Sequence, residues 1–275
     1  TSLIAFNLTI PFRRLPVART VQSMAHANEH EEVKALLPHV PSGGVLLLDR
    51  GYPSHELIAY LQRHYRGYWL IRCPASATFP AVEAFVQSGQ AEAVITLQPP
   101  RAEPIRLRVL RLTGPEGELS VLLTNLQDPA CFPAPAIINL YFRRWAVEVH
   151  YRDEKTSLDI KTFHSQTENG IRQELFAILI MAVIARTLMV LMTDPDPPAG
   201  AEPQFKHAMI TLASEAALLT PQCPELALRI FDELLREIAR VRYYRPKTIR
   251  PSPPRVSKKP VNKWQLDKTK RLMNC

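Results

Sequence analysis

At 275 residues, with 46% hydrophobic and 22% charged side chains, the chain has the composition of an ordinary globular protein and room for one large domain or two small ones. Its net charge of +8 is unevenly spread: Arg240 to Arg271 holds 12 Lys and Arg against one acid, Asp267, leaving 22 basic and 25 acidic residues elsewhere. Cys73, Cys131, Cys223 and Cys275 lie too far apart to suggest a zinc site or a disulfide framework, and the eight histidines show no HExxH spacing.

The body is therefore near neutral, and the basic end reads as a polyanion-binding arm or as a solvated tail. No signal-peptide pattern is present, and a reducing cytoplasm fits the cysteines. In chain order, LIAFNLTI at 3–10 reads as a short strand followed by a turn at Pro11. HANEHEEVKALLPHV at 26–40 is a helix candidate, with Val33, Leu36, Leu37 and Val40 at helical spacing. After the breaker PSGG, Val45 to Leu48 is a continuous apolar run, the pattern of a buried central strand. Ser54 can cap the next helix, HELIAYLQRHY, and YWLIRC returns as a strand. Strand, helix and strand in this order favour an α/β sheet.

From about 79 to 126 the texture is β-rich: AEAVITLQ, IRLRVLRL and LSVLLTNL alternate in part between Pro- and Gly-rich turns. Helices are expected over about 135–158, 170–192 and 223–241. The 18 residues Leu175 to Met192 are nearly all apolar, a length that can span a membrane. Arg186 near their middle opposes insertion by roughly 2.5–3.5 kcal/mol, so a buried core helix is expected and no membrane. The Pro-rich, basic stretch 245–275 has little prospect of packing.

The most informative segment is YFRRWAVEVHYRDEK, residues 141–155. Wound as one α-helix, it sets Tyr141, Arg144, Glu148 and Lys155 within about 60° of one another, on a stripe about 21 Å long. Asp153 and Glu154 point elsewhere. An ordinary i,i+4 pair would explain Arg144 with Glu148; it does not require Tyr141 and Lys155 on the same stripe. Trp145 reads as a packing residue. His150 and His164 read as structural or solvated. Trp264 could stack on a base or anchor the tail. A second signal is LLLDRGY, where Asp49 directly follows an apolar strand. Ligands collect at the carboxyl ends of strands in open α/β sheets, and a carboxylate there suits a hard cation such as Mg²⁺. A plain turn before Pro53 would also place an Asp there.

Taken together, Tyr141-x2-Arg144-x3-Glu148-x6-Lys155 resembles the Y-R-E-K signature of the DDE transposases of bacterial insertion sequences, the IS-four family. DRGY at 49–52 resembles the segment with that family's second catalytic Asp. LLTNL at 122–126 resembles the strand before the signature helix, and RQELFA at 172–177 the helix after it. The resemblance covers roughly residues 5–190. It implies an α/β, RNase H-like fold with a β-rich insertion between Asp49 and Glu148. It divides the chain into a catalytic domain at 1–195, with the insertion at about 79–126, a helical region at 196–244 and the basic tail at 245–275. It further implies that Asp49 and Glu148 are catalytic ligands of a two-ion Mg²⁺ site. Tyr141, Arg144 and Lys155 would contact DNA phosphates. The partners implied are double-stranded DNA, as terminal repeats and target, and a second copy in a homodimer.

The resemblance also implies a first Asp on a strand upstream, and no Asp precedes Asp49. Glu29, Glu31 and Glu32 are poor replacements by position, and Asn7 sits too near Asp49 in sequence. The chain begins with Thr. The expectation is therefore an N-terminally incomplete or inactive copy of a transposase that does not cleave DNA alone. The alternative is a non-catalytic DNA-binding fragment that regulates a full-length enzyme.

Overall fold

The structure is a computed structural model that describes residues 3–23, 25–76, 78–100, 103–114, 117–158, 163–192, 201–215 and 223–244; the side chains of Leu3, Lys155 and Thr156 lie outside that description. The expected tail at 245–275 also falls outside the described residues.

The chain opens with an antiparallel hairpin, β1 (Leu3–Ile10) and β2 (Leu15–Ser23). The strand β2 is not evident in the sequence, because LPVARTVQS alternates weakly and begins beside a proline. Helix α1 (Glu29–Leu36) follows, with Asn28 as its N-cap, and runs into a short 3₁₀ turn at Leu37–His39. Next come β3 (Val45–Leu48), α2 (His55–His64) and β4 (Tyr68–Pro74). Ser54 caps α2 as expected, its hydroxyl accepting from Leu57 N–H at 3.1 Å.

The β-rich stretch contains an unexpected helix, α3 (Pro80–Gln87), before β5 (Glu92–Leu97), β6 (Ile105–Thr113) and β7 (Leu119–Thr124). Pro80 at its first turn and the buried pair Val82 and Phe85 give α3 a helical start and an apolar face. All five later strands form one mixed sheet in the order β3-β4-β7-β6-β5, in which β3 and β4 are parallel and the other pairs antiparallel. Side chains stitch one end of it: Asn125 Oδ1 accepts from Trp69 N–H at 2.9 Å, and Thr124 Oγ1 donates to Trp69 O at 2.7 Å.

Strand alternation divides the core in two. Leu46, Leu48, Trp69, Ile71, Leu107, Val121 and Leu123 share one cluster with residues of α2 and α3. Val45, Leu47, Leu70, Leu110 and Leu122 pack instead with Ile137 and Tyr141. The latter two lie on α4 (Ala134–Phe142), so helices cover both faces of the sheet.

Helix α5 (Trp145–Ser157) follows α4 without a loop, but the two are not the single helix expected. Arg143 N–H donates to Leu140 O, Arg144 to Tyr141, Ala146 to Arg143 and Val147 to Arg144. These i→i+3 bonds tighten one turn, and the axis breaks at Arg143 and Arg144. Helix α6 (Glu168–Leu191) packs Leu175 and Leu179 against Val21 of β2. It is long and apolar enough to cross a membrane. Its C-terminal half is instead built into a core with α7 (Phe205–Glu215) and α8 (Pro224–Arg240) through Ala182, Ala185, Leu188, Phe205, Ala208 and Leu234. Arg186 is buried there; its Nη2 donates to Asp153 of α5 at 2.6 Å, and its guanidinium lies 4.0 Å from the centre of the Phe205 ring. Two short strands, β8 (Ala201–Pro203) and β9 (Arg242–Tyr244), pair antiparallel beside this bundle.

Candidate active site

Asp49 leaves the end of β3 and closes its own turn. Its Oδ1 accepts from Arg50 N–H at 2.7 Å, and its carbonyl accepts from Tyr52 N–H at 3.1 Å. The side chain is 40% exposed. Glu148, in the first turn of α5, is 43% exposed. Arg144 joins the two, with Nη1 3.5 Å from Asp49 Oδ2 and Nη2 3.2 Å from Glu148 Oε1. Two of the expected site carboxylates, 99 positions apart in sequence, thus converge on one guanidinium.

The remaining signature residues divide. Tyr141 is 3% exposed, its ring in the core under β3 and β7 and 5.8 Å from the Arg144 guanidinium. Burial pushes its phenol up to about 12, so it stays protonated at neutral pH. Lys155 lies on α5, with its side chain outside the described residues. Trp145, read as a packing residue, is 58% exposed, because the break before it turns this position outward. Among the described residues no three His, Cys, Asp or Glu side chains gather as a metal cluster.

A groove of about 640 Å³ opens beside Asp49. Gly44 to Asp49, Phe6 to Ile10 of β1, Val33 and Leu36 of α1, Leu140 of α4, Arg144 at the break, and Val147 and Tyr151 of α5 line it. Glu29 and Tyr52 also line it; burial, then the nearby Glu29 carboxylate, pushes the Tyr52 phenol up to about 12. Tyr52 ends the DRGY segment, and Glu29, a poor replacement for the missing Asp by position in the sequence, is brought to the groove by the fold.

Behind the site, α5 is anchored by buried charge. Glu154 is 2% exposed and paired with Arg19 of β2, whose Nη1 lies 3.3 Å from Oε2; His150 Nε2 lies 3.2 Å from Oε1. Burial, and then the cations of Arg186, Arg19 and Arg14, drive the His150 pKa down to about 3. Asp153 binds Arg186, as above, and lies 3.9 Å from Arg14. As the helical spacing implied, neither Asp153 nor Glu154 joins the Asp49 and Glu148 pair. The His150-x3-Glu154 spacing is visible in the sequence, but their partners on β2 and α6 are not.

A family model described as a transposase DDE domain matches residues 9–184. The chain is similar to the transposase InsG for insertion sequence element IS4 of Escherichia coli (strain K12), at 24% identity over 179 residues, 61% of this chain and 40% of that protein. It is also similar to a probable transposase for insertion sequence element IS5377 of Geobacillus stearothermophilus, at 36% identity over 83 residues, 30% of this chain and 21% of that protein. The chain thus spans less than half the length of these relatives.

Proposed function

The chain belongs to the transposase DDE domain family, and from that membership we propose that it carries two metal ligands, Asp49 and Glu148, of the DNA-cutting and strand-transfer site of a bacterial insertion-sequence transposase, as an incomplete or inactive copy. The observation that supports this reading most is the shared Arg144, which brings both carboxylates to the end of a strand. Both are partly exposed hard oxygen donors. They suit Mg²⁺, which binds through one or two carboxylates together with waters and phosphate oxygens. A bound pair of such ions supplies activation of the attacking oxygen and stabilisation of the leaving one.

The chain's own residues bind and orient. Arg144 is the group best placed to meet a DNA phosphate beside the carboxylates, and its planar fork suits two phosphate oxygens. The Tyr141 ring supports that guanidinium from the core, and Lys155 adds a cation farther along α5. The substrate is double-stranded DNA, as insertion-sequence ends and target, handled by paired copies. A mixed sheet covered by helices on both faces supports the RNase H-like reading, with β5, β6 and β7 as its inserted strands.

Because two carboxylates and not three converge among the described residues, the chain alone is expected to bind DNA without cutting it. A second reading, a DNA-binding regulator without catalysis, is favoured by the basic end at Arg240 to Arg271. Incubation with insertion-end DNA in Mg²⁺ or Mn²⁺ tests both. Binding without cleavage is the expected result; cleavage abolished by Glu148→Ala would overturn it.

A further inference from the structure

The sheet ends on β5 with an open backbone edge. Among the described residues β5 pairs only with β6, so its other side has no neighbouring strand. The Ala91 carbonyl accepts from Arg111 N–H at 2.8 Å, which turns the backbone of Ala91 toward β6. Alternation then turns Ala93, Ile95 and Leu97 the same way and leaves the N–H and C=O groups of Glu92, Val94 and Thr96 pointing out of the sheet. The next strand agrees. Arg106, opposite Thr96, sends its carbonyl away from β5, where it accepts from Gln127 Nε2 at 2.9 Å.

Edge strands of soluble proteins are commonly blunted by lysine, proline, a bulge or a covering element. The β5 sequence EAVITL holds no lysine or proline, and its register with β6 runs unbroken from Glu92 to Leu97. Its single charge, Glu92, is tied back within the sheet, where its Oε1 accepts from Nε of the buried Arg108 at 2.7 Å. Cover is missing as well: Val94 is 49% exposed, and Thr96 is exposed.

We propose that β5 is a dimerisation edge, which pairs antiparallel with β5 of a second copy about a two-fold axis at Val94. This register uses every outward group of the strand. Val94 faces Val94 of the second copy, and Glu92 faces Thr96 of the second copy on either side of the axis. Each facing pair exchanges two N–H···O=C bonds, and the two sheets become one. Charge selects the same register. The two Glu92 carboxylates are kept apart, each beside a neutral threonine, whereas an axis at Glu92 would set them face to face. Arg106 is exposed on β6 directly beside Thr96. Two strand spacings, about 10 Å, separate its backbone from Glu92 of the second copy on the same face of the joined sheet, within reach of two long side chains. Opposite charges thus meet at both ends of the contact. A two-fold pair is closed, so it also ends the growth that an open edge invites. An edge of six residues is short against the ~800 Å² per partner of a standard interface, so the dimer is a weak one. The proposal rests on the sheet edge alone and not on the metal-site reading.

The test uses the whole chain, isotope-labelled, from dilute solution up to NMR concentrations. Sedimentation should show the mass rising from monomer to dimer and stopping there. Over the same range the Glu92, Val94 and Thr96 amides should slow in hydrogen exchange at least tenfold, while those of Ala93, Ile95 and Leu97, already paired with β6, change little. Val94→Pro removes an outward donor and spares the β5–β6 ladder, as proline on an edge strand does. Val94→Lys leaves the backbone intact and sets two cations face to face on the axis. Each should weaken association at least tenfold, with the Ile95 amide still protected. A chain that stays monomeric at the highest concentration would overturn the proposal. So would growth past the dimer, a dimer whose Glu92, Val94 and Thr96 amides stay unprotected, or association at full strength in either Val94 variant. Mn²⁺ affinity equal to that of the natural chain in Val94→Lys separates this proposal from the active-site reading.

Discussion

Replacing Glu154 by Gln tests whether buried charge fixes the helix that carries Glu148. The substitution keeps the shape of the side chain and removes its charge. Arg19, whose side chain is 8% exposed, is then left as a buried cation with no carboxylate. Breaking a buried pair from one side costs about 3–5 kcal/mol, because the orphaned charge keeps its desolvation penalty. That is a large share of the roughly 5–15 kcal/mol that holds a typical domain together. Urea unfolding at neutral pH, followed by circular dichroism, should show the midpoint falling with the slope unchanged. The double variant Arg19→Met with Glu154→Leu removes both charges and should recover most of the loss. A loss below about 1 kcal/mol for Glu154→Gln, the range of an exposed pair, would refute the reasoning. So would a double variant no more stable than the single one.

Three other outcomes follow from the same structure. His150 is neutral in the folded state down to about pH 3, whereas an unfolded histidine gains its proton near pH 6.5. Between those values the unfolded state binds the extra proton, so stability should fall as pH drops from 6.5 toward 3, by up to about 1.4 kcal/mol per pH unit. The slope from unfolding curves across that window should flatten in His150→Gln. Ser54→Ala removes the cap of α2 and should cost about 1 kcal/mol in the same assay. Binding to a short DNA duplex should weaken steeply as salt rises, and Arg144→Ala should reduce the salt slope by about one if that residue meets a phosphate.

The sequence carries the strands covered on both faces best. Val45 to Leu48 and YWLIRC are legible because such strands read as unbroken apolar runs, although β3, expected as a central strand, stands at the edge of the described sheet. Ser54 is legible because capping is a local bond. Strand β2 is not: its partners are β1, α1, α5 and α6, and Arg19 and Thr20, which mask its alternation, meet Glu154 and Glu32. Helix α3 is concealed inside a β-rich segment because eight residues give barely two turns of periodicity. At the site, Arg144 with Glu148 is readable from i,i+4 spacing, while the reach of Arg144 to Asp49 is a product of folding. The break at Arg143 and Arg144 is invisible to a wheel drawn at a constant 100° per residue, and it accompanies a buried Tyr141 and an exposed Trp145.

The proposed site depends on Asp49 and Glu148 acting together. Mn²⁺ binding to the chain, read by electron paramagnetic resonance, is the measurement to make, for the natural sequence and for Asp49→Asn and Glu148→Gln. Outer-shell partners of a metal site are worth 10–100-fold in affinity; loss of a ligand itself should weaken binding by at least about tenfold in each variant, with the fold unchanged by circular dichroism. Equal Mn²⁺ affinity in all three proteins would contradict the account.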